Sequence, residues 1–333
     1  MKRDNMALVL GATGGIGGEV TRQLVAAGWQ VRALKRGLEQ DSQHRDGIEW
    51  FRGDALNSDD VMRAARDCSV IVHAVNPPGY RRWAELVLPM IDNTIAAAIA
   101  SHATIVLPGT VYNYGPDAFP LIAEDAPQNP LTRKGAIRVE LERRLRLATA
   151  RGARVIIVRA GDFFGPKAGN NWFSQGLIKP EKPVTTINLP GVQGLGHQWA
   201  YLPDVARTMI EVLARREQLE PFATFHMQGH WDPDGSQLAE SIRRVVATAT
   251  GVLPKMRRFP WWALHLAAPF VTTARELLEM RYLWRQPVRM TNDRLTQLLG
   301  EEPHTPLDDA VRATLVGLGC LTAVKPDLLR SPA

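Results

Sequence analysis

The sequence predicts an α/β fold built on a doubly wound parallel sheet, and three observations predict it. Short apolar runs of strand length recur through the first half of the chain, at residues 7–10, 30–34, 48–52, 69–75, 104–107 and 154–159. Helical patterns separate most of them, and that alternation supplies the crossovers a parallel sheet needs. The first run passes through Gly11-Ala12-Thr13-Gly14-Gly15-Ile16-Gly17 into a helical pattern with Val20, Leu24 and Val25 on one face.

Strand, glycine turn and helix start together form the context of a dinucleotide fingerprint. Gly11 permits the tight turn, Gly14 lets the backbone approach a pyrophosphate, and Gly17 lets the helix pack closely on the strand. The free N–H groups and positive dipole end of that helix then face the phosphates. An ordinary strand-helix turn is the competing reading. The spacing and the strand before it favour a nucleotide and a Rossmann-like sheet.

At 333 residues the chain suits one large domain or two unequal ones. The uncharged, aromatic-rich stretch 259–274 contains Pro260, His265 and Pro269 and is short for a spanning helix. Residues 1–5 lack the apolar core of a signal peptide. Cys68 and Cys320, far apart, suggest a reducing compartment, so the cytoplasm is the default expectation. The net charge of +6 suits an anionic cofactor or substrate. No basic stripe with a recognisable module points to nucleic acid. Basic residues recur on helices, as in 140–144, where they fit a solvated face.

The second strand, 30–34, is followed by Lys35-Arg36. An acid at this place holds the ribose hydroxyls of NAD, whereas a cation attracts the 2′-phosphate of NADP. NADP is therefore expected rather than NAD, with a solvent-facing basic pair as the alternative. The third strand ends at Gly53-Asp54-Ala55, where Asp54 could accept from the adenine amino group or cap the next helix. The fourth contains Val70-Ile71-Val72, a run suited to a strand buried on both faces, and ends in the loop 76–79. A long helix follows over 83–102, with an apolar surface wide enough for the sheet and a partner subunit. Strand five leads into 108–116, a loop at the C-terminal sheet edge where α/β ligands bind. A helix over 134–151 and strand six complete the alternation. After Gly161-Asp162 the rhythm breaks. Residues 1–160 are expected to form the dinucleotide-binding domain, with 196–228 returning to it. Residues 161–195 and 229–325 are expected to form a smaller, mostly helical substrate domain, with helices at 204–216, 235–250 and 261–282.

In this order the motifs resemble the extended short-chain dehydrogenase/reductase family, also called the NAD-dependent epimerase/dehydratase family, over most of the chain. Residues 11–17 match its fingerprint, and Gly53-Asp54 its adenine-contacting Asp. His73-Ala74-Val75-Asn76 resembles its fourth-strand motif beside the cofactor. Residues 158–166, with Gly161, look like its motif after strand six, and 199–206 are similar to a late motif of the extended branch. The resemblance implies a Ser or Thr that positions the substrate oxygen, then a Tyr-x-x-x-Lys pair whose Tyr moves the proton and whose Lys holds the nicotinamide ribose. Thr110 falls on the Ser/Thr position. Counting back from Glu140 puts Thr132 and Ala136 on the pair, and a shift by one gives Leu131 and Gly135. Neither register supplies Tyr and Lys, so the chain resembles an atypical member.

The candidate substitutes are Tyr112, as acid or as a stacking side chain, and Lys134, at the ribose or in solvent. Arg133 has the same ambiguity as Lys134, and Tyr114 fits a structural role. Asn76, Tyr112, Asp162 and His197 are candidates to orient substrate. His73 reads as a satisfied core histidine. His226 and His230, with Asp232 and Asp234, match no compact ligand motif, so no metal is expected. Residues 257–262, Arg-Arg-Phe-Pro-Trp-Trp, invite a membrane-surface reading, but a cap helix with its aromatics in the core or pocket wall is favoured.

An NADP-dependent oxidoreductase or epimerase/dehydratase-like enzyme, moving hydride to or from a small carbonyl or hydroxyl substrate of the sugar-nucleotide kind, is the leading expectation. A catalytically silent NADP-binding sensor or scaffold is the alternative, and a membrane-associated lipid oxidoreductase a third. The resemblance implies a homodimer through the helices at 83–102 and 134–151.

Overall fold

The structure is a computed structural model that describes residues 5–77, 82–167, 169 and 171–322. The strands are β1 (Met6–Leu10), β2 (Gln30–Lys35), β3 (Ser42–Arg45), β4 (Ile48–Arg52), β5 (Val70–His73), β6 (Thr104–Gly109), β7 (Leu121–Ile122), β8 (Arg154–Arg159), β9 (Asp162–Phe164), β10 (Thr186–Leu189), β11 (His197–Tyr201), β12 (Phe222–His226), β13 (His230–Asp232), β14 (Lys255–Arg258) and β15 (Arg289–Met290). The helices are α1 (Gly15–Ala26), α2 (Ser58–Ala65), α3 (Trp83–Ser101), α4 (Arg133–Thr149), α5 (Leu202–Ala214), α6 (Gln237–Thr250), α7 (Trp261–Ala267), α8 (Thr272–Glu279), α9 (Asp293–Leu299) and α10 (Leu307–Gly317).

The expected α/β fold is observed. Eight strands form one sheet in the order β12-β8-β6-β5-β1-β2-β4-β3. All neighbours pair in parallel except β3, which runs antiparallel to β4 at the edge. The polar strand Ser-Gln-His-Arg has no apolar periodicity, so it escapes a sequence reading; β4 recruits it. The chain winds outward from β1 through β2 and then reverses through β5, which puts a topological switch point beside β1. Helices α1 and α5 cover one face, where Val20, Leu24, Val205 and Met209 meet Val9 and Val72. Helices α2, α3 and α4 cover the other, where Val61, Ile91, Ile95 and Leu145 meet Leu8 and Ile71. Burial on both sides explains the uninterrupted Val-Ile-Val of β5. By length and composition α3 could cross a membrane; here its Trp83, Val87, Ile91 and Ile95 enter the core over the sheet.

Beyond β8 the chain departs from the main sheet. A Cβ on Gly161 would lie 2.2 Å from the Gln198 carbonyl oxygen, so only glycine lets β9 run against β11. Strands β13, β11 and β9 form a separate sheet. The expected return over 196–228 is thus corrected in part: β12 joins the main sheet and α5 packs on it, whereas β11 does not join it. The expected lid over 229–325 also gives up α9, whose Leu295 sits in the core of the main sheet. The helix expected across 261–282 is broken between α7 and α8, where Pro269 removes an amide donor. Pro78 and Gly79 of the expected loop, and residues 323–325, lie outside the described residues. The small domain has its own core, in which Phe164, Phe173, Trp199, Ile242, Trp284 and Val311 pack together.

Candidate functional site

The glycine turn is sterically specified. Gly11 has φ +89°, and a Cβ there would lie 2.5 Å from the Ala74 carbonyl oxygen. A Cβ on Gly17 would lie 2.2 Å from the Gly11 oxygen. Gly14 is different: its Cβ would meet only that same oxygen, at 3.3 Å. The fold therefore requires Gly11 and Gly17, while Gly14 leaves space in front of the turn. No side chain caps the first turn of α1, so its amides remain available to an anion.

A cleft of about 380 Å³ runs from Gly11, Gly14, Gly15 and Ile16 past Ala74, Val75 and Asn76 to Thr110 and Tyr112. It lies at the switch point, along the C-terminal ends of β1, β5 and β6. Its glycine end and uncapped helix fit the diphosphate of a dinucleotide. Thr13 is exposed on the turn and is not part of the cleft wall. Ala55 is also set apart from the wall, and its carbonyl accepts from Asn93 Nδ2 at 2.9 Å. Lys35, Arg36 and Asp54 stand at the ends of β2 and β4, outside the enclosed part of the cleft. Lys35 Nζ lies 5.8 Å from the centre of the Trp50 ring. Arg36 Nη1 lies 3.8 Å from Asp54 Oδ2, so the candidate 2′-phosphate ligand and the candidate adenine ligand face each other.

At its inner end the cleft meets a pocket of about 100 Å³ lined by Thr110, Tyr112, Lys134, Asp162, Asn171 and Met280, among others. Thr110, Tyr112, Phe163 and Asn171 belong to both spaces. Gly161 lines this pocket beside Asp162, away from the glycine-rich end of the cleft. His197 is also corrected. It is buried, its Nε2 lies 2.8 Å from Asp162 Oδ2, and its ring stacks on Trp284 at 3.9 Å. It reaches the pocket only through Asp162.

A buried polar network holds the Thr110 loop. Thr110 Oγ1 donates to Asn113 Oδ1 at 3.1 Å, Asn113 Nδ2 to Gln128 Oε1 at 3.0 Å, and Gln128 Nε2 to Glu142 Oε2 at 2.9 Å. Arg159, fully buried, donates to Glu142 Oε2 at 2.9 Å and to the Thr110 carbonyl at 2.5 Å, closing the circuit. Its Nε donates to His226 Nε2 at 3.2 Å, and Tyr114 Oη lies 3.1 Å from the same nitrogen. Burial, reinforced by the Arg159 charge, pushes the His226 pKa down to about 3, so the ring is neutral and accepts. Tyr114 is thus a support for the loop, while Tyr112 faces the pocket.

The two helix registers considered from sequence are both corrected. Thr132 caps α4 by accepting from the Gly135 amide at 3.0 Å, and Ala136 is exposed. Glu140, used as the anchor for counting, faces outward and pairs with Arg143 and Arg144. The anchored acid is Glu142. The side chains of α4 that reach the site are Lys134 and Arg138, four residues apart on one face. Lys134 is buried on the pocket wall with Nζ 3.9 Å from Glu279 Oε2. Arg138 lines the cleft, 4.9 Å from the centre of the Trp83 ring, with Nη2 3.5 Å from Asn76 Oδ1. Two cations one turn apart therefore stand along the cleft.

His73 is buried against Thr94, Nδ1 to Oγ1 2.8 Å, and burial together with Arg138 lowers its pKa to about 3. Asp232 accepts from the Leu238 amide at the start of α6. Among the described residues no group of three His, Cys, Asp or Glu is arranged to hold a metal. Trp261 turns inward, its Nε1 donating to the Pro190 carbonyl at 2.9 Å, whereas Trp262 is exposed.

Sequence reasoning missed Arg138, Glu142, Arg159, Asn113 and Gln128. The available signal was a charge inside an apolar pattern: Glu142 lies between Leu141 and Leu145, and Arg159 ends the run Val155-Ile156-Ile157-Val158. Buried charges of this kind need partners.

A sequence model described as the NAD dependent epimerase/dehydratase family matches residues 7–226. Protein YeeZ of Escherichia coli K12 is 27% identical over 199 residues, which cover 54% of this chain and 68% of YeeZ. The UDP-glucose 4-epimerase of Brucella ovis, solved in complex with NAD, superimposes with a TM-score of 0.70 at 15% identity, over 95% of this chain and 98% of that one. The UDP-N-acetylglucosamine 4-epimerase of Bacillus cereus gives 0.69 at 16% identity, over 96% and 98%. These two likenesses establish the fold. With the family match spanning most of the chain, the protein is a member of the NAD dependent epimerase/dehydratase family.

Proposed function

We propose that this protein is a nicotinamide-dinucleotide-dependent oxidoreductase or epimerase-type enzyme acting at a hydroxyl- or carbonyl-bearing carbon of a small, sugar-nucleotide-like substrate. One observation carries the reading: the cleft that begins at the glycine turn is continuous with a pocket holding Thr110, Tyr112 and Lys134. The Brucella ovis epimerase, similar in fold, was solved with NAD. For this chain the reading takes NADP, supported by the basic pair Lys35-Arg36 at the end of β2.

Bound in the cleft, the nicotinamide would supply or accept hydride, which is the cofactor's own chemistry. The protein's part is to bind, orient and move a proton. The amides of Gly15 and Ile16 hold the diphosphate, and Arg138 and Asn76 line the cleft wall beside it. Thr110 Oγ1, its proton directed to Asn113, accepts from the substrate hydroxyl, and Tyr112 or a water transfers the proton. Lys134, on the opposite wall, places positive charge where negative charge develops on that oxygen. Asp162, fixed by His197, orients the substrate. A homodimer would use the outward faces of α3 and α4.

The second reading is a silent sensor or scaffold. It is favoured by the pairing of Lys134 with Glu279, which occupies the lysine on the pocket wall. Titration with NADPH and NADH, followed by nicotinamide fluorescence, tests the cofactor reading. The expected result is tighter NADPH binding, weakened at least tenfold in Lys35→Ala/Arg36→Ala. A preference for NADH would reject the NADP assignment. Turnover of NADPH with a carbonyl panel separates the enzyme from the sensor, which binds both redox forms and consumes neither.

A further inference from the structure

Helix α7 reads Trp-Trp-Ala-Leu-His-Leu-Ala, yet none of its seven residues is buried. Trp262 and Leu266, four residues apart and so on one face, are 68% and 69% exposed. Phe270, in the turn that follows, is 89% exposed, and Val271 beside it is exposed as well. Large aromatic and aliphatic side chains gathered at one projecting turn mark a contact surface, because water gains nothing from them.

The charges around this tip select the partner. Between residues 255 and 285 there are six Lys and Arg and two Glu, and no acid lies between Lys255 and Arg275. Arg258, Arg281 and Arg285 outnumber the acid Asp234 around a cavity of about 590 Å³ whose wall also includes Phe259 and Trp261. Arg281 lies 4.9 Å from the Trp261 ring centre, so the guanidinium and the helix that carries the apolar tip are joined. An apolar prow with a cationic cavity behind it matches a bilayer of anionic phospholipid: acyl chains take the tip and headgroup phosphates take the arginines. A second copy of this chain fits poorly, since its tip would bring the same arginines face to face.

We infer that the α7–α8 segment docks the protein on anionic membrane surfaces, with Trp262, Leu266 and Phe270 in the interface and Arg258, Arg281 and Arg285 on headgroup phosphates. Leu277 of α8 and the adjoining Met280 line the pocket beside Thr110 and Lys134, so docking places the pocket wall next to the lipid. This inference stands on the surface and is independent of the cofactor reading.

The test is co-sedimentation of the full chain with sucrose-loaded vesicles of phosphatidylcholine, with and without phosphatidylglycerol. Binding is expected on the mixed vesicles, with little on phosphatidylcholine alone, and it should fall as salt rises. Trp262→Asp/Phe270→Asp should lower partitioning about tenfold or more. Arg258→Gln and Arg285→Gln should each lower it about fivefold. All four positions are exposed, so near-UV circular dichroism should match wild type. Wild type that stays in the supernatant, binds both vesicle types equally, or binds unchanged in the Asp variant overturns the inference. So does a dimer in analytical ultracentrifugation that the Asp variant dissociates, since a second copy would then be the occupant.

Discussion

At the scale of single residues, the site is governed by which charges are buried and what they meet. Glu142 and Arg159 are both inside, and each is satisfied several times over. Such a pair contributes little net stability when intact, but removing one partner leaves an unpaired buried charge. Glu142→Ala should therefore lower unfolding free energy by about 3–5 kcal/mol, read from urea denaturation. It should also loosen the Thr110 loop that Arg159 holds. Lys134→Met keeps most of the apolar stem of the side chain and removes its charge. It should cut turnover about 10²–10³-fold through kcat if its role is electrostatic at the substrate oxygen, while leaving NADPH binding near wild type. Unchanged turnover would remove Lys134 from the chemistry. Arg138→Met is expected to show the opposite split, with NADPH binding weakened first, because Arg138 lines the cleft.

At the scale of elements, the turn from β1 into α1 separates two demands that one glycine motif usually merges. Gly17 is demanded by packing, since its added Cβ would overlap the Gly11 carbonyl. Gly14 has only one close neighbour within the protein and faces the cleft. Gly17→Ala should thus lower thermal stability and dinucleotide binding together. Gly14→Ala should fold nearly as wild type and lose dinucleotide affinity about tenfold or more, because its methyl occupies the diphosphate's space. Equal affinity in Gly14→Ala would mean that no diphosphate lies against the turn. Helix α4 shows the same division of labour: Thr132 caps it, Glu142 and Leu145 fix its inner face, and Lys134 and Arg138 are left for the cleft.

At the scale of the whole molecule, pH reports on the buried histidines. Burial holds His73 and His226 neutral, with pKa values of about 3, and His230 at about 4. An unfolded histidine titrates near 6.5, so below that pH the unfolded chain binds protons that the fold refuses. Their stabilising effect is complete above about pH 6.5 and is lost as pH falls towards the folded pKa values, at about 1.4 kcal/mol per pH unit for each histidine. Urea midpoints should accordingly fall from pH 7 to pH 5, and His226→Gln should flatten that slope. The alternation of strand and helix, the glycine turn and the buried runs were legible in the sequence, because a 2.0 or 3.6 period of apolar residues and a glycine's missing Cβ are local properties. Those features settled the sheet, the cleft at its edge and the family. The register of α4 was not legible, because Glu140 and Glu142 differ only in which face meets Arg159, seventeen or more residues away. Nor was the fate of β11, which a carbonyl approaching Gly161 turns into a separate sheet. Nor was the exposure of α7, whose apolar composition suggests a core. Each of these depends on contacts between segments distant in the chain, and only the tertiary structure decided them.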